Sequence, residues 1–193
     1  MYSTQISRAL QSDPYVAPYF EGVFASDRLP RQLTLYPSAV VANTDPASEP
    51  GKHWIAFYFD RHGHLDYFDS YGLPPTVYPR LTEFAAVNSR TQSYNDRPLQ
   101  GFYSDVCGQY CIAFLAMRAR DYTLTDVVNY YSGGRPGDGD ALVAREVNSL
   151  YNIKKRKRIV FSSSSSRGSG VTQWQRQQCC CSSFKSRDHE RCS

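Results

Sequence analysis

Two aromatic-rich segments separated by a short turn constrain the fold of this chain more than any other feature. The first, His53–Asp60, reads HWIAFYFD, and the second, Leu65–Asp69, reads LDYFD. Between them Gly63 can adopt the positive φ that tight turns require. The pattern therefore predicts an antiparallel β-hairpin. In such a hairpin His53, where the first strand starts, and Asp69, where the second ends, lie at the same end of the sheet.

Hydrophobic periodicity predicts further elements around this hairpin. The predicted helices are 1–10, 80–87, 123–131 and one ending near residue 152, and the further strands are 38–43 and 90–94. Residues 19–30 are assigned to a loop with aromatic anchors. Thr123 and Thr125 are N-cap candidates for their helix, and Asp138 or Asp140 is the expected N-cap of the last helix.

The stretch Leu99–Leu115, LQGFYSDVCGQYCIAFL, places a cysteine at the start of an apolar helix. Ser104 and Asp105 are residue types that cap helices, so Cys107 falls in the first turn. There the unpaired N–H groups and the positive end of the helix dipole stabilise a thiolate. A cysteine in an apolar helix is more often a packing residue, so this stretch alone leaves both interpretations open. For Cys111, one turn deeper, packing is the better interpretation.

Charge is distributed unevenly along the 193 residues. The formal net charge is +4, yet residues 154–193 hold ten Lys or Arg against two acidic residues, so the first 153 residues are mildly acidic. The basic run Lys154–Arg158 is followed by five consecutive serines and a Gly/Ser/Gln-rich segment. Such a composition predicts disorder. We expect a folded domain at 1–153 and a basic, Ser-rich tail at 154–193.

Cysteine usage and hydropathy exclude several classes of protein. Two cysteines lie in residues 1–153 and four in the tail, which is not a disulfide framework and favours an intracellular protein. No stretch has the apolar length of a membrane span, so we expect no membrane association. The tail cysteines, with His189, lack zinc-site spacing, so we expect no bound metal.

Four residues, His53, Asp69, Gln100 and Cys107, are together the types that a cysteine protease requires. The thiolate attacks, the imidazole moves the proton, the carboxylate fixes the imidazole, and polar hydrogens stabilise the oxyanion. Each residue alone has an ordinary explanation. His53 could be a strand-end histidine, Asp69 a turn acid and Gln100 a surface amide.

The order of these residues resembles the adenovirus protease (adenain) family of cysteine endopeptidases. The resemblance rests on His53-Trp54, on the turn Asp69-Ser70-Tyr71-Gly72, and on Gln100 followed by six residues and then Cys107-Gly108. It extends upstream to residues 18–30, which resemble the family's amino-terminal segment.

This resemblance covers roughly residues 13–131 and implies a papain-like α+β fold of clan CE type, with a mixed or antiparallel sheet and packed helices. It implies Cys107 as nucleophile, His53 as general base and acid, and Asp69 as the partner that orients His53. Gln100 and the backbone N–H of Cys107 would form the oxyanion hole. The implied activity is a monomeric endopeptidase that cleaves protein substrates, the precursors of a virus or a virus-like transposon, at Gly-containing sites.

The chain departs from this family in its activators. The adenovirus enzyme is activated by a peptide disulfide-bonded to a cysteine upstream of the oxyanion Gln, but residues 70–106 contain no cysteine. The family also uses DNA as a cofactor. The basic residues that could bind DNA here, or serve as a nuclear localisation signal, are Lys154, Lys155, Arg156, Lys157 and Arg158. We expect no obligatory cofactor, with DNA or a peptide activator as alternatives, and a nuclear or virion-like location.

Two other functions stay open from the sequence. Asp69 stands where the adenovirus enzyme has Glu and SUMO-specific proteases have Asp, so a SUMO- or ubiquitin-like deconjugase keeps the same chemistry. A catalytically inactive relative that binds nucleic acid or protein is the other alternative. The intact set of four residues argues against it, because a binding module needs none of them.

Overall fold

The structure, a computed structural model, describes residues 1–153 of the chain. The predicted tail, 154–193, with the proposed DNA-binding run Lys154–Arg158, lies outside the described residues. The helices are α1 (Ser3–Ser12), α2 (Pro79–Asn88), α3 (Cys107–Arg118), α4 (Leu124–Tyr131) and α5 (Asp140–Leu150). The strands are β1 (Phe20–Phe24), β2 (Ser38–Asn43), β3 (Trp54–Phe59), β4 (His64–Phe68) and β5 (Thr91–Tyr94). Among residues 1–153, no helix combines the length and the apolar character that crossing a bilayer requires.

The strands form one mixed sheet in the order β1-β2-β3-β4-β5. The central strands β2, β3 and β4 are antiparallel neighbours, whereas β1 runs parallel to β2 and β5 runs parallel to β4. The predicted hairpin is present, with Ala56 opposite Phe68 and Phe59 opposite Leu65. The fold is therefore α+β with a mixed sheet.

Helices cover both faces of the sheet because its central strands are apolar on both sides. Helix α2 covers one face, through Leu81, Phe84 and Ala85. The strand residues on that face are Val40, Ala42, Ile55, Phe57, Phe59, Leu65 and Tyr67. Helices α1, α3, α4 and α5 cover the other face, where the strand residues are Ala39, Val41, Ala56 and Phe68. The alternation of faces follows the two-residue period of a strand.

Helix α3 is the most enclosed helix of the fold. Eight of its twelve residues are buried, from Cys107 to Leu115. The ring of Phe114 stacks on Phe68 of β4, with centroids 4.7 Å apart. The backbone N–H of Trp54, the first residue of β3, interacts with the thiol of Cys107, the first residue of α3. The helix therefore begins at the end of the sheet where β3 begins.

The prediction that residues 19–30 form a loop is partly wrong. Phe20–Phe24 form β1, an edge strand in which Glu21 is exposed and the other four residues are partly buried, without alternation. A strand of this kind lacks the period-2 pattern from which strands are predicted.

The predicted N-caps of α3 and α5 are also wrong. Helix α3 begins after Val106, without a side-chain cap. Ser104 instead donates its hydroxyl to the backbone oxygen of Gly101, within its own turn. Helix α5 begins after Gly139, again without a side-chain cap. The carboxylate of Asp140 accepts hydrogen bonds from Gly101 N and from the hydroxyl of Tyr110, so it links the Gln100 loop to α3.

Candidate active site

The open end of the β3–β4 hairpin brings His53 and Asp69 together. His53 directly precedes β3 and Asp69 directly follows β4. Nε2 of His53 lies 2.7 Å from Oδ1 of Asp69, and the two residues are 5% and 0% exposed. Without water to compete for it, this hydrogen bond fixes the orientation of the imidazole. Nδ1 of His53 makes no hydrogen bond of ordinary geometry within residues 1–153, but the Cys107 thiol lies close enough to raise the pKa of the ring.

Asp69 is held by its own turn and by Asn95. Its Oδ1 also accepts the backbone N–H of Tyr71, at 2.8 Å. Asn95 accepts the backbone N–H of Asp69 at 2.9 Å and donates Nδ2 to the Asp69 carbonyl at 2.6 Å. Sequence analysis missed Asn95, whose only signal is its position directly after a predicted strand. Asn95 follows β5 and Asp69 follows β4, and these two strands pair. The hydrogen bonds of Asn95 therefore hold the backbone of Asp69, and with it the carboxylate.

The thiol of Cys107 and the imidazole of His53 perturb each other. Burial raises the pKa of the Cys107 thiol, but the adjacent imidazole of His53 and its charge, with the N–H of Trp54, bring that pKa below the ordinary 9.0. The start of α3 acts in the same direction. Burial alone lowers the pKa of His53, whereas Asp69 and Cys107 raise it, and the resulting pKa is well above 6.5. Both shifts favour a thiolate–imidazolium pair.

Gln100 is buried, not the surface amide of the ordinary explanation, and every polar hydrogen of its side chain is bonded. Its Nε2 donates to the Ser104 carbonyl at 2.7 Å and to the hydroxyl of Tyr71 at 3.2 Å. Its Oε1 accepts the hydroxyl of Ser70 at 2.7 Å. The carbonyl of Ser104 can only accept, which determines which end of the amide carries nitrogen. Gln100 is thus tied to the turn after Asp69 and to the loop that leads into Cys107.

Cys107 also lines an open cleft of about 330 Å³. The other walls come from residues 1–3, from residues 23–25 at the end of β1, from the end of β2 and the loop after it, and from Trp54 and Asp105. The indole of Trp54 donates to the carbonyl of Met1 at 3.2 Å, which holds the amino-terminal segment against the cleft. No group of His, Cys, Asp and Glu suited to a metal ion occurs within residues 1–153.

The site combines a thiol of lowered pKa, an imidazole aligned by a buried carboxylate, and a buried amide beside them. These are the components of nucleophilic acyl transfer. Comparison of the chain with protein-family models and with curated proteins found no match. The chemical interpretation of the site therefore depends on its geometry and on the order of its residues.

Proposed function

We propose that this chain is a cysteine endopeptidase of the adenain type, with a papain-like fold of clan CE. The observation that carries the proposal is the buried series of contacts from Asp69 to His53 to Cys107 at the start of α3. A packing cysteine needs neither an imidazole nor a carboxylate behind it. Both groups are costly to bury, so their alignment on a thiol supports a chemical role.

In the proposed reaction the Cys107 thiolate attacks the carbonyl carbon of the scissile peptide bond. The resulting oxyanion accepts hydrogen bonds from the backbone N–H of Cys107, which has no acceptor inside the helix, and from Nε2 of Gln100. Imidazolium of His53 then protonates the leaving amine as the C–N bond breaks, which leaves a thioester on Cys107. His53, now neutral, removes a proton from the water that hydrolyses this thioester.

The open cleft beside Cys107 supports a polypeptide substrate. By its resemblance to the family, we propose viral or virus-like precursor proteins as substrates, cut at Gly-containing sites. A contact with DNA through Lys154–Arg158 is part of the same proposal. If those residues bind phosphates, added duplex DNA should change the cleavage rate at low salt, and the effect should disappear as salt rises.

The deciding experiment measures the reactivity of Cys107 in the full chain. Iodoacetamide is applied across a range of pH, and each cysteine is followed separately by mass spectrometry of its peptide. A mixture of Gly-containing peptides is tested in parallel for cleavage. We expect Cys107 to be alkylated at pH values where an ordinary thiol is still protonated. Cys107→Ala and His53→Ala should abolish cleavage.

His64→Ala is the matched control, because His64 also belongs to the hairpin and pairs with an aspartate, at 3.4 Å, but is partly exposed. Its cleavage activity should equal that of the wild type. If Cys107 reacts like an ordinary thiol and no peptide is cut, with or without DNA, the proposal is wrong. Cleavage of a SUMO conjugate without cleavage of the peptides would favour the deconjugase instead.

A further inference from the structure

Tyr71 touches three of the four residues of the candidate site. Its backbone N–H donates to Oδ1 of Asp69 at 2.8 Å. Its ring lies against the imidazole of His53, with centroids 4.7 Å apart and planes inclined by 34°. Its hydroxyl accepts Nε2 of Gln100 at 3.2 Å.

We propose that Tyr71 is a positioning residue that fixes the imidazole of His53 and the amide of Gln100 in position relative to each other. The inference rests on the proposed function, because it assigns Gln100 to the oxyanion. Asp69 accepts the hydrogen bonds of both His53 Nε2 and the Tyr71 backbone N–H on the same oxygen. The carboxylate therefore sets the position of the ring relative to the imidazole.

The ring of Tyr71 acts on the charge of His53. The imidazole is 5% exposed, so an imidazolium there has lost most of its hydration. The face of an aromatic ring attracts a cation within about 6 Å, and the attraction is stronger where water is excluded. Asp69 fixes one edge of the imidazole, and the tyrosine ring restricts its rotation about that hydrogen bond. Together they hold the imidazole in one orientation beside the thiol.

The hydroxyl of Tyr71 acts on Gln100. The amide is 1% exposed, so an N–H without an acceptor would be costly. Of its two N–H bonds, the one to the Ser104 carbonyl is shorter, and the one to the Tyr71 hydroxyl is longer. A charged oxyanion is a stronger acceptor than a neutral hydroxyl, so it can compete for the longer bond. Tyr71 thus keeps this N–H in place between turnovers and yields it to the oxyanion.

Two small reagents separate the two roles. Iodoacetamide reports the thiolate–imidazolium pair and forms no oxyanion at a carbonyl. With p-nitrophenyl acetate the thiolate attacks the acetyl carbonyl, a thioester forms, and p-nitrophenolate leaves with the electron pair of the broken C–O bond. Cys107→Ala gives the background for both reagents. The substituted full-length chains are Tyr71→Phe, which keeps the ring, and Tyr71→Leu, which removes both groups.

We expect Tyr71→Phe to keep the wild-type rate and pH dependence of Cys107 alkylation, while p-nitrophenolate release falls by about tenfold, less than the loss of a whole oxyanion donor. Tyr71→Leu should slow both reactions and shift the alkylation profile to higher pH. Tyr36→Phe is the matched control: its hydroxyl also takes part in a hydrogen bond, to the Asn88 carbonyl at 2.9 Å, beside the hairpin turn at the opposite end of β3 and β4. It should change neither reaction.

Wild-type p-nitrophenolate release in Tyr71→Phe would overturn the role of the hydroxyl. An unshifted alkylation profile in a folded Tyr71→Leu chain would overturn the role of the ring. If Tyr71→Leu does not fold, the alkylation profile of Tyr71→Met, which also lacks the ring, decides the role of the ring, and Tyr71→Phe still decides the role of the hydroxyl. If the wild type releases p-nitrophenolate no faster than Cys107→Ala, the proposed function fails, and the role of Tyr71 fails with it. Normal wild-type release with an unaffected Tyr71→Phe refutes the role of Tyr71 alone.

Discussion

The first and second turns of α3 each carry a buried cysteine, and the pKa values of the two thiols are shifted in opposite directions. Cys107 is 5% exposed and Cys111 is 1% exposed. Burial raises the pKa of the Cys111 thiol well above 9.0, and the charges of Cys107 and Asp69 add to that rise. The Cys107 thiol is buried to a similar extent, yet its pKa is lowered, because His53 and the N–H of Trp54 contact it.

Burial by itself thus makes a cysteine inert. In this helix the pKa of the thiol is lowered where a partner for the thiolate and the start of the helix outweigh burial. The four-residue separation of the two cysteines moves the second thiol one turn deeper, among apolar side chains that favour the neutral form. The following experiments test this difference between the two turns.

Replacing each cysteine by alanine should give the largest contrast. Cys107→Ala should lower p-nitrophenolate release and peptide cleavage by about 10⁴-fold or more, because the proposed nucleophile is gone. Cys111→Ala should leave both rates unchanged and cost about 1 kcal/mol of unfolding free energy, because it creates a small cavity. Steady-state kinetics and urea denaturation measure the two effects. Equal losses of activity in both variants would show that the two turns do not differ.

Asp69→Asn should bring the pKa values of the Cys107 and Cys111 thiols closer together. Loss of the carboxylate lowers the pKa of His53, which in turn raises the pKa of Cys107. Because the lowered pKa keeps the thiolate present as pH falls below 9.0, Cys107 alkylation in the wild type should decline only at lower pH. In the variant that decline should move to higher pH, and cleavage near neutral pH should fall by about 10² to 10⁴-fold.

The same substitution should also change the alkaline side of the pH profile of cleavage. The raised pKa of His53 keeps the imidazolium present above 6.5, and activity should be lost as pH rises through that higher pKa. Asp69→Asn should bring this loss to lower pH. Asp66→Asn is the control, since Asp66 lies on the same strand but pairs with His64 and Arg118. A shift of similar size in Asp66→Asn would mean that general electrostatics, not the contact with His53, sets the profile.

Gly72→Ala should loosen the turn that links Asp69 to Gln100. Gly72 has φ +70°, and an added Cβ would lie 2.7 Å from the backbone of Arg97 and Pro98. Leu99 N and Gln100 N both donate to the Ser70 carbonyl in this turn, at 2.9 Å. We expect a loss of about 2 kcal/mol or more in unfolding free energy, measured in urea.

Gly63→Ala provides the comparison for that loss. Gly63 also has positive φ, +81°, but its Cβ would meet only the side chain of Arg90, at 3.4 Å. The cost should be about 1 kcal/mol, from backbone conformation alone. Equal costs for the two glycines would mean that the approach of residues 97–98 does not constrain the turn.

Gly108→Ala should have the smallest effect on the first turn of α3. Alanine favours the helix by up to about 1 kcal/mol, but its Cβ would lie 2.9 Å from Cβ of Met1 and 3.2 Å from Cδ1 of Ile6. We expect a change in unfolding free energy within about 1 kcal/mol. Because Met1 lines the cleft beside Cys107, p-nitrophenolate release should fall by less than about tenfold. A loss as large as that of Cys107→Ala would contradict this limit.

Local sequence patterns predicted helices, strands and caps well where the tertiary contacts of a segment favour the same structure as its pattern. The strand predicted at 38–43 matches β2, since its apolar side chains are buried on both faces. Thr123 caps α4 as predicted, through a hydrogen bond from Asp126 N at 3.1 Å. Ser104 has the same capping chemistry but donates to Gly101 instead. The sequence alone does not distinguish these two residues, because the competing acceptor depends on the path of the loop.

The sequence by itself determined the hairpin, and with it the nearness of His53 to Asp69, because turn position and strand direction are local properties. It also placed Cys107 in the first turn of a helix and Cys111 one turn deeper. Only the tertiary structure decided that α3 begins where β3 begins, that Asn95 holds Asp69, and that Tyr71 touches both His53 and Gln100. These contacts join residues far apart in the chain, and the packing of helix on sheet sets them, which no local pattern encodes.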